Sequence, residues 1–146
     1  MALEVRRQTS CTEELRAAFA RLMPQLSQRR AAPSREVLER LVSSPAAALF
    51  VARDEGRIVG VLTLVWYDAP SGRKAWIEDV VVDMALRGRG TGRRLVEEAL
   101  RHASEIGAGR VMLTSAPHRE AARALYRNLG FKEAETSLFV LETHKQ

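Results

Sequence analysis

The sequence predicts a single α/β domain, residues 1–146, built on a mixed, mostly antiparallel sheet with helices on both faces. Three observations carry that expectation. Two β-rich runs, Ala47–Arg53 and Ile58–Trp66, flank the turn Asp54-Glu55-Gly56-Arg57, and a third run follows from Ala75 to Val82; together they make an antiparallel meander. The period then changes, and Thr91–Ile106 repeats its apolar residues at helical spacing. A strand, helix, strand order after a meander needs a crossover connection, and hence a parallel pair. With 146 residues, 46% of them hydrophobic, the chain supplies one core and too little for two.

From the start of the chain, Leu3 and Val5 alternate with polar residues as a short first strand. Ser10 and Glu13 form a capping box before Leu15, Ala18, Phe19 and Leu22, which recur on one helical face. Pro24 is expected to disturb this helix, and Gln25–Ala32 to form a mobile connection. Pro33-Ser34 opens a second helix carrying Val37, Leu38, Leu41 and Val42, closed by Ser43-Ser44-Pro45. After the meander, Thr91–Ile106 buries Leu95, Val96, Ala99, Leu100 and Ala103 and stops at Gly107. Arg110–Thr114 reads as a strand, Glu120–Leu129 as a helix closed by Gly130, and Phe131–Leu141 as a final strand.

Composition narrows the function classes. The lone Cys11 excludes an internal disulfide and a Cys-rich zinc site; it reads as a small half-buried side chain in a reducing compartment. No stretch approaches the ~20 apolar residues that span a bilayer. Arg6, Arg7, Glu13, Glu14 and Arg16 stand where a signal peptide needs an apolar run, so the chain is expected to be cytoplasmic, unprocessed and off the membrane. Its formal charge of +5 comes almost wholly from scattered arginines, since Lys74, Lys132 and Lys145 are the lysines. Aromatic residues are 5% of the chain and do not interleave with a basic stripe, which argues against a nucleic-acid partner.

The most informative stretch is Val80-Val81-Val82-Asp83-Met84-Ala85-Leu86-Arg87-Gly88-Arg89-Gly90-Thr91-Gly92-Arg93. A strand runs into a turn with alternating glycines, and that turn opens a helix. Gly88, Gly90 and Gly92 let the backbone approach a ligand, and the helix start adds unpaired N–H groups and a positive dipole end. The combination suits a pyrophosphate. A Walker loop is excluded, because Gly92-Arg93-Arg94 replaces Gly-Lys-Ser/Thr. A dinucleotide fingerprint is excluded too, because Arg93 stands where the third glycine belongs.

The pattern met by Arg87, Gly90 and Gly92, namely Arg/Gln-x-x-Gly-x-Gly/Ala, resembles that of the GNAT superfamily of acetyl-CoA-dependent N-acetyltransferases. A second stretch agrees: in Pro117-His118-Arg119-Glu120-Ala121-Ala122-Arg123-Ala124-Leu125-Tyr126-Arg127-Asn128-Leu129-Gly130-Phe131, a helix carrying Ala-x-x-Leu-Tyr ends at Gly-Phe. The resemblance implies the GNAT fold and acetyl-CoA as co-substrate, with no metal. It implies that the backbone of Val80, Val81 and Val82 pairs with the pantetheine arm. It places the pyrophosphate on Arg87, Gly88, Arg89, Gly90, Thr91, Gly92 and Arg93, with guanidinium contacts from the arginines. His118 and Ala121 complete the cofactor contacts, although the family usually carries Asn where this chain has His118.

The implied reaction is direct attack of a neutral amine on the thioester within a ternary complex. It needs a proton acceptor for the amine, stabilisation of the oxyanion and a donor for the departing thiolate. By position Tyr126 is that donor; the competing reading is a core tyrosine on an amphipathic helix. Glu78 is the nominated base with Asp79 beside it, their side chains sent to opposite faces by strand alternation. A structural ion pair with an arginine is the competing reading. His102 and His144 read as incidental. The acceptor is expected to be a small-molecule primary amine. A protein lysine or N-terminal amine, a non-catalytic acyl-CoA-binding domain, and homodimer formation stay open.

Overall fold

β-branched and aromatic residues set the strands of the sheet, and the computed structural model describes residues 3–28 and 30–144. Strands β1 (Leu3–Gln8), β2 (Ala47–Asp54), β3 (Arg57–Ala69), β4 (Gly72–Val82) and β5 (Arg110–Met112) form one sheet in the order β1-β2-β3-β4-β5. The first four are antiparallel to their neighbours, and β5 joins β4 in parallel. The parallel pair follows the crossover helix α3 (Thr91–Glu105), as strand order demands. Glu55 and Gly56 take φ of 52° and 81° in the β2–β3 turn, the left-handed pair that a tight hairpin uses. The described chain divides into two units, Met1–Leu113 and Thr114–Gln146, and the sheet lies in the first.

Helices α1 (Glu13–Leu26) and α2 (Arg35–Ser43) cover one face of the sheet. Leu15, Phe19, Leu22 and Leu38 pack there with Leu49, Val51, Val61 and Val81, and Cys11 lies half-buried against this cluster. Phe50 alternates with Leu49 and Val51, so it points to the opposite face, where α3 buries Leu95, Val96, Ala99 and Ala103. None of the described helices is long and apolar enough to cross a membrane.

Several expected boundaries move. The α1 cap is Thr12, whose hydroxyl accepts from the Leu15 amide at 3.1 Å, and not Ser10; both are good cap residues, and Thr12 is the one directly before the first helical residue, Glu13. Pro24 sits inside α1, which continues to Leu26. Of the expected mobile connection, Gln25 and Leu26 are therefore helical, and Arg29 lies outside the described residues. Val37 stays exposed on α2, and only Leu38 of that helix is buried. In the second unit, α4 (Glu120–Asn128) forms as expected and Gly130 follows it at φ 99°. Phe131–Leu141, expected as a final strand, carries no strand. Its residues have strand chemistry, but a strand exists only where a ladder partner satisfies its backbone.

His102, read as incidental, is a core element of α3. Its ring lies 5.7 Å from that of Phe50 and 5.5 Å from that of Trp66, and its Nε2 is buried without a hydrogen-bond partner. Burial holds its pKa below the ordinary 6.5, and the nearby charge of Arg7 adds to the effect. A depressed histidine pKa favours the neutral form in the folded state. Its contribution is therefore complete above the unfolded pKa and declines as pH falls through 6.5 toward the folded value. The melting temperature of the wild type is expected to fall from pH 7.5 to 5.5 by a few degrees more than that of His102→Leu. Equal slopes in the two proteins would contradict the burial argument.

Candidate functional site

Strand β4 is paired with β3 along almost its whole length but with β5 only over Lys74–Trp76. Its second edge, from Ile77 to Val82, therefore has no strand partner among the described residues. Val81 is buried, whereas Val80 and Val82 are half-buried, so this part of the strand is less enclosed than the valine run suggests. Backbone donors and acceptors along such an edge can pair with an extended ligand as they would with another strand.

The divergence coincides with an irregularity that hydrophobic pattern does not reveal. Val61 pairs with Val81 but Thr63 with Glu78, so Asp79 and Val80 together oppose Leu62. This is a β-bulge, and Asp79 takes φ of 49° within it. The expected alternation of Glu78 and Asp79 to opposite faces fails at the bulge, and both residues are exposed. The arginine charge that acts on this pair is that of Arg30, which bears on Glu78. Glu78 is exposed by area, yet partial desolvation of its carboxyl holds its pKa above 4.5. The Asp79 charge pushes in the same direction, and Arg30 opposes both.

Past Val82 the chain forms a 3-10 turn, Met84–Leu86, and then the glycine turn. Asp83 fixes this start in three ways. Its amide donates to the Val59 carbonyl at 2.7 Å, its carboxylate accepts from the Ala85 amide, and its Oδ2 lies 3.8 Å from Nε of Arg21 on α1. Gln25, one turn further along α1, accepts from the Met84 amide at 2.7 Å. Arg21 and Gln25 thus tie α1 to the segment that leads into the glycine turn. Sequence reasoning missed both, because long-range latches of this kind leave no spacing signal.

Gly88 and Gly90 take φ of 84° and 80°, and no atom beyond their chain neighbours lies within 4 Å of where a Cβ would sit. Open space therefore faces both glycines. Thr12 and Ser34 cap α1 and α2, but Gly90 is the α3 N-cap and offers no side chain. The first helical hydrogen bond there runs from the Arg94 amide to Gly90 at 3.1 Å. The amides of Thr91, Gly92 and Arg93 precede it, at the positive end of a 15-residue helix. Arg87, Arg89 and Arg93 are exposed around this point; Arg93 also pairs with Glu97 at 3.3 Å. An uncapped helix start, two left-handed glycines facing open space and a basic rim fit a pyrophosphate.

Gly60 on β3 is a further residue whose role sequence reasoning passed over, although glycine inside a strand is the available signal. A Cβ there would meet Leu95 Cδ1 at 3.1 Å, the Val81 carbonyl at 3.2 Å and Thr91 Cγ2 at 3.5 Å. Its lack of a side chain lets the α3 start sit close to β3. Gly60→Ala is expected to lower stability by about 1–3 kcal/mol through overpacking, seen as a lower urea midpoint. An unchanged midpoint would show that α3 can shift without cost.

His118, Ala121 and Tyr126 belong to the second unit. His118 lies exposed in the turn before α4, and Ala121 is exposed in its first turn. Tyr126 is half-buried, its ring 5.9 Å from that of Phe131, and the Phe131 amide closes on the Tyr126 carbonyl at 3.0 Å. Burial raises the phenol pKa above 10.0, with Arg119 opposing, so the group keeps its proton at neutral pH. A phenol in that state is a hydrogen-bond donor.

A profile described as the acetyltransferase (GNAT) family matches residues 12–131. Human N-acetyltransferase 8B is 28% identical over 106 residues, covering 71% of this chain and 47% of that protein. The chain thus spans about half the length of the curated relatives it matches first. A putative acetyltransferase from Agrobacterium tumefaciens superposes with a TM-score of 0.82 at 25% identity, over 95% of this chain and 99% of that one. An aminoglycoside N-acetyltransferase solved in complex with CoA superposes with a TM-score of 0.79 at 19% identity, over 97% and 95% of the two chains, a likeness of fold.

Proposed function

Because the chain belongs to the acetyltransferase (GNAT) family, we propose that it transfers an acetyl group from acetyl-CoA to a primary amine of a small molecule. The observation that carries this reading is the continuity of two binding features. The open β4 edge from Ile77 to Val82 leads through the latched Asp83 turn into the uncapped start of α3. An extended arm on the first and a pyrophosphate on the second is the pairing that CoA offers. The CoA-bound structural neighbour supports the same choice of cofactor.

When bound, acetyl-CoA supplies an activated acetyl thioester. In this reading Val80–Val82 hold the pantetheine arm by backbone pairing, and Gly88–Arg93 hold the pyrophosphate. The bulge at Asp79 and Val80 takes backbone N–H groups out of the ladder, and these are suited to donate to a developing oxyanion. Glu78, whose pKa is raised by partial desolvation and by the Asp79 charge, accepts the amine proton, directly or through water. Asp79 adds negative charge that attracts a cationic amine. Tyr126 donates to the departing thiolate, a role that rests on its Leu-Tyr position. For His118 and Ala121 the role of cofactor contact rests on their positions in the sequence motif alone.

The direct test is release of free CoA thiol from acetyl-CoA with a panel of polyamines, amino acids, aminosugars and a lysine peptide. Release stimulated by a small amine above the hydrolysis background is expected. Stimulation by the peptide alone would move the acceptor to protein, and none with any amine would contradict catalysis.

A further inference from the structure

The segment that leads into the glycine turn is held by hydrogen bonds and not by packing. Met84–Leu86 buries none of its residues. Within the segment, the Leu86 amide closes on the Asp83 carbonyl at 2.9 Å, and the Arg87 amide reaches the Met84 carbonyl only at 3.4 Å. From outside it, the Val59 carbonyl on β3 takes the Asp83 amide, and Oε1 of Gln25 on α1 takes the Met84 amide at 2.7 Å. Past Arg87 the chain crosses Gly88 and Gly90, whose open surroundings leave its course to the two ends of the turn.

The Gln25 carboxamide is oriented for this contact. Its Nε2 donates to the Arg21 carbonyl one turn back along α1 at 3.4 Å, and its oxygen faces the Met84 N–H, a group that can only donate. Arg21 contributes differently. Its Nε lies 3.8 Å from Asp83 Oδ2 and is buried without a hydrogen-bond partner, so the ion pair attracts the turn without fixing a direction. Gln25 supplies the directional contact from α1.

We propose that Gln25 is a positioning residue for acetyl-CoA, holding Met84 so that the glycine turn meets the pyrophosphate already in place. This rests on the assignment of that turn to the cofactor. A turn freed from Gln25 has more conformations to lose when ligand binds, and that ordering subtracts from affinity. The loss falls on the pyrophosphate and spares the pantetheine arm, which takes the β4 edge. Because the Gln25–Met84 bond is exposed, folding stability depends on it little.

Gln25→Leu removes the acceptor. Calorimetric titration is expected to give a Kd for acetyl-CoA roughly 3–10-fold above that of the wild type, the yield of one net hydrogen bond, at a melting temperature close to the wild type's. Affinity for acetyl-pantetheine, a thioester without pyrophosphate or nucleotide, is expected to be unchanged, as is kcat at saturating acetyl-CoA. Met84→Pro isolates the bond itself. Proline suits the first position of a helical turn, and Asp83 before it, at φ −50° and ψ 128°, has the backbone that precedes a proline. With no amide left at Met84, adding Gln25→Leu in that background is expected to change the Kd no further. Equal acetyl-CoA affinity in Gln25→Leu and the wild type, an equal loss for both ligands, or a loss that persists in the Met84→Pro background would overturn the positioning role alone. A wild-type chain that binds neither ligand would overturn it together with the cofactor assignment.

Discussion

Gly90→Val is expected to weaken acetyl-CoA binding by at least ~100-fold, about 2.7 kcal/mol, while the chain still folds. Two costs separate cleanly at this position. A β-branched residue at φ 80° strains the backbone by about 1–3 kcal/mol, but no protein atom beyond the chain neighbours stands within 4 Å of the new Cβ. The methyls of valine instead project into the space that a pyrophosphate needs beside the α3 amides. Gly56→Val is a matched control. Its φ is 81° and its surroundings are equally open, yet it lies in the β2–β3 turn away from the α3 start. Calorimetric titration should find comparable melting temperatures for the two variants, with binding lost only in Gly90→Val. Normal affinity in folded Gly90→Val would undo the assignment of the glycine turn to the cofactor.

Glu78→Gln and Tyr126→Phe are each expected to lower kcat by about 10²–10⁴-fold with little change in acetyl-CoA affinity. That is the range for a positioned acid or base, and neither group holds the cofactor. The pH profile distinguishes the two. A base must be deprotonated to act, so kcat/KM of the wild type should rise with pH through the pKa of Glu78. That pKa is raised by desolvation and by Asp79, which places the rise above the ordinary carboxylate range. Glu78→Gln should lose this limb, whereas Tyr126→Phe should keep it at a lower rate. A limb that persists in Glu78→Gln, or moves to Asp79→Asn, would transfer the base to Asp79. Unchanged kcat in Tyr126→Phe would return Tyr126 to a packing role beside Phe131.

What the sequence carries and what it conceals divide along physical lines. The strand-to-helix turn from Val80 to Arg93 was legible because glycines needed for left-handed φ, and a helix start without a capping side chain, are compositional facts. The meander and α3 were legible from period alone. The bulge was not, since one extra residue in β4 leaves Glu78-Asp79-Val80 looking like ordinary alternation; only the register with β3 exposes it. Gln25 lies 59 residues from the Met84 amide it bonds, and Arg21 pairs with Asp83 from the far end of the same long-range link, so no local pattern announces them. The His102 environment is hidden for the same reason, being made by Phe50 and Trp66 from other elements. Phe131–Leu141 shows the reverse case: the residues are those of a strand, but composition cannot name the partner that a strand requires.

The central claim is that the β4 edge and the α3 start together hold acetyl-CoA. Thermal unfolding with acetyl-CoA, set against ATP, NAD and an unrelated polyanion, tests it most directly. A ligand that binds only the folded chain stabilises it by about 2.7 kcal/mol at a hundredfold excess over Kd, enough for a shift of several degrees. Such a shift with acetyl-CoA, and little with the other three, is the predicted result. No shift, or an equal one with every polyanion, would leave Arg87–Gly92 a basic turn without a cofactor and contradict the account.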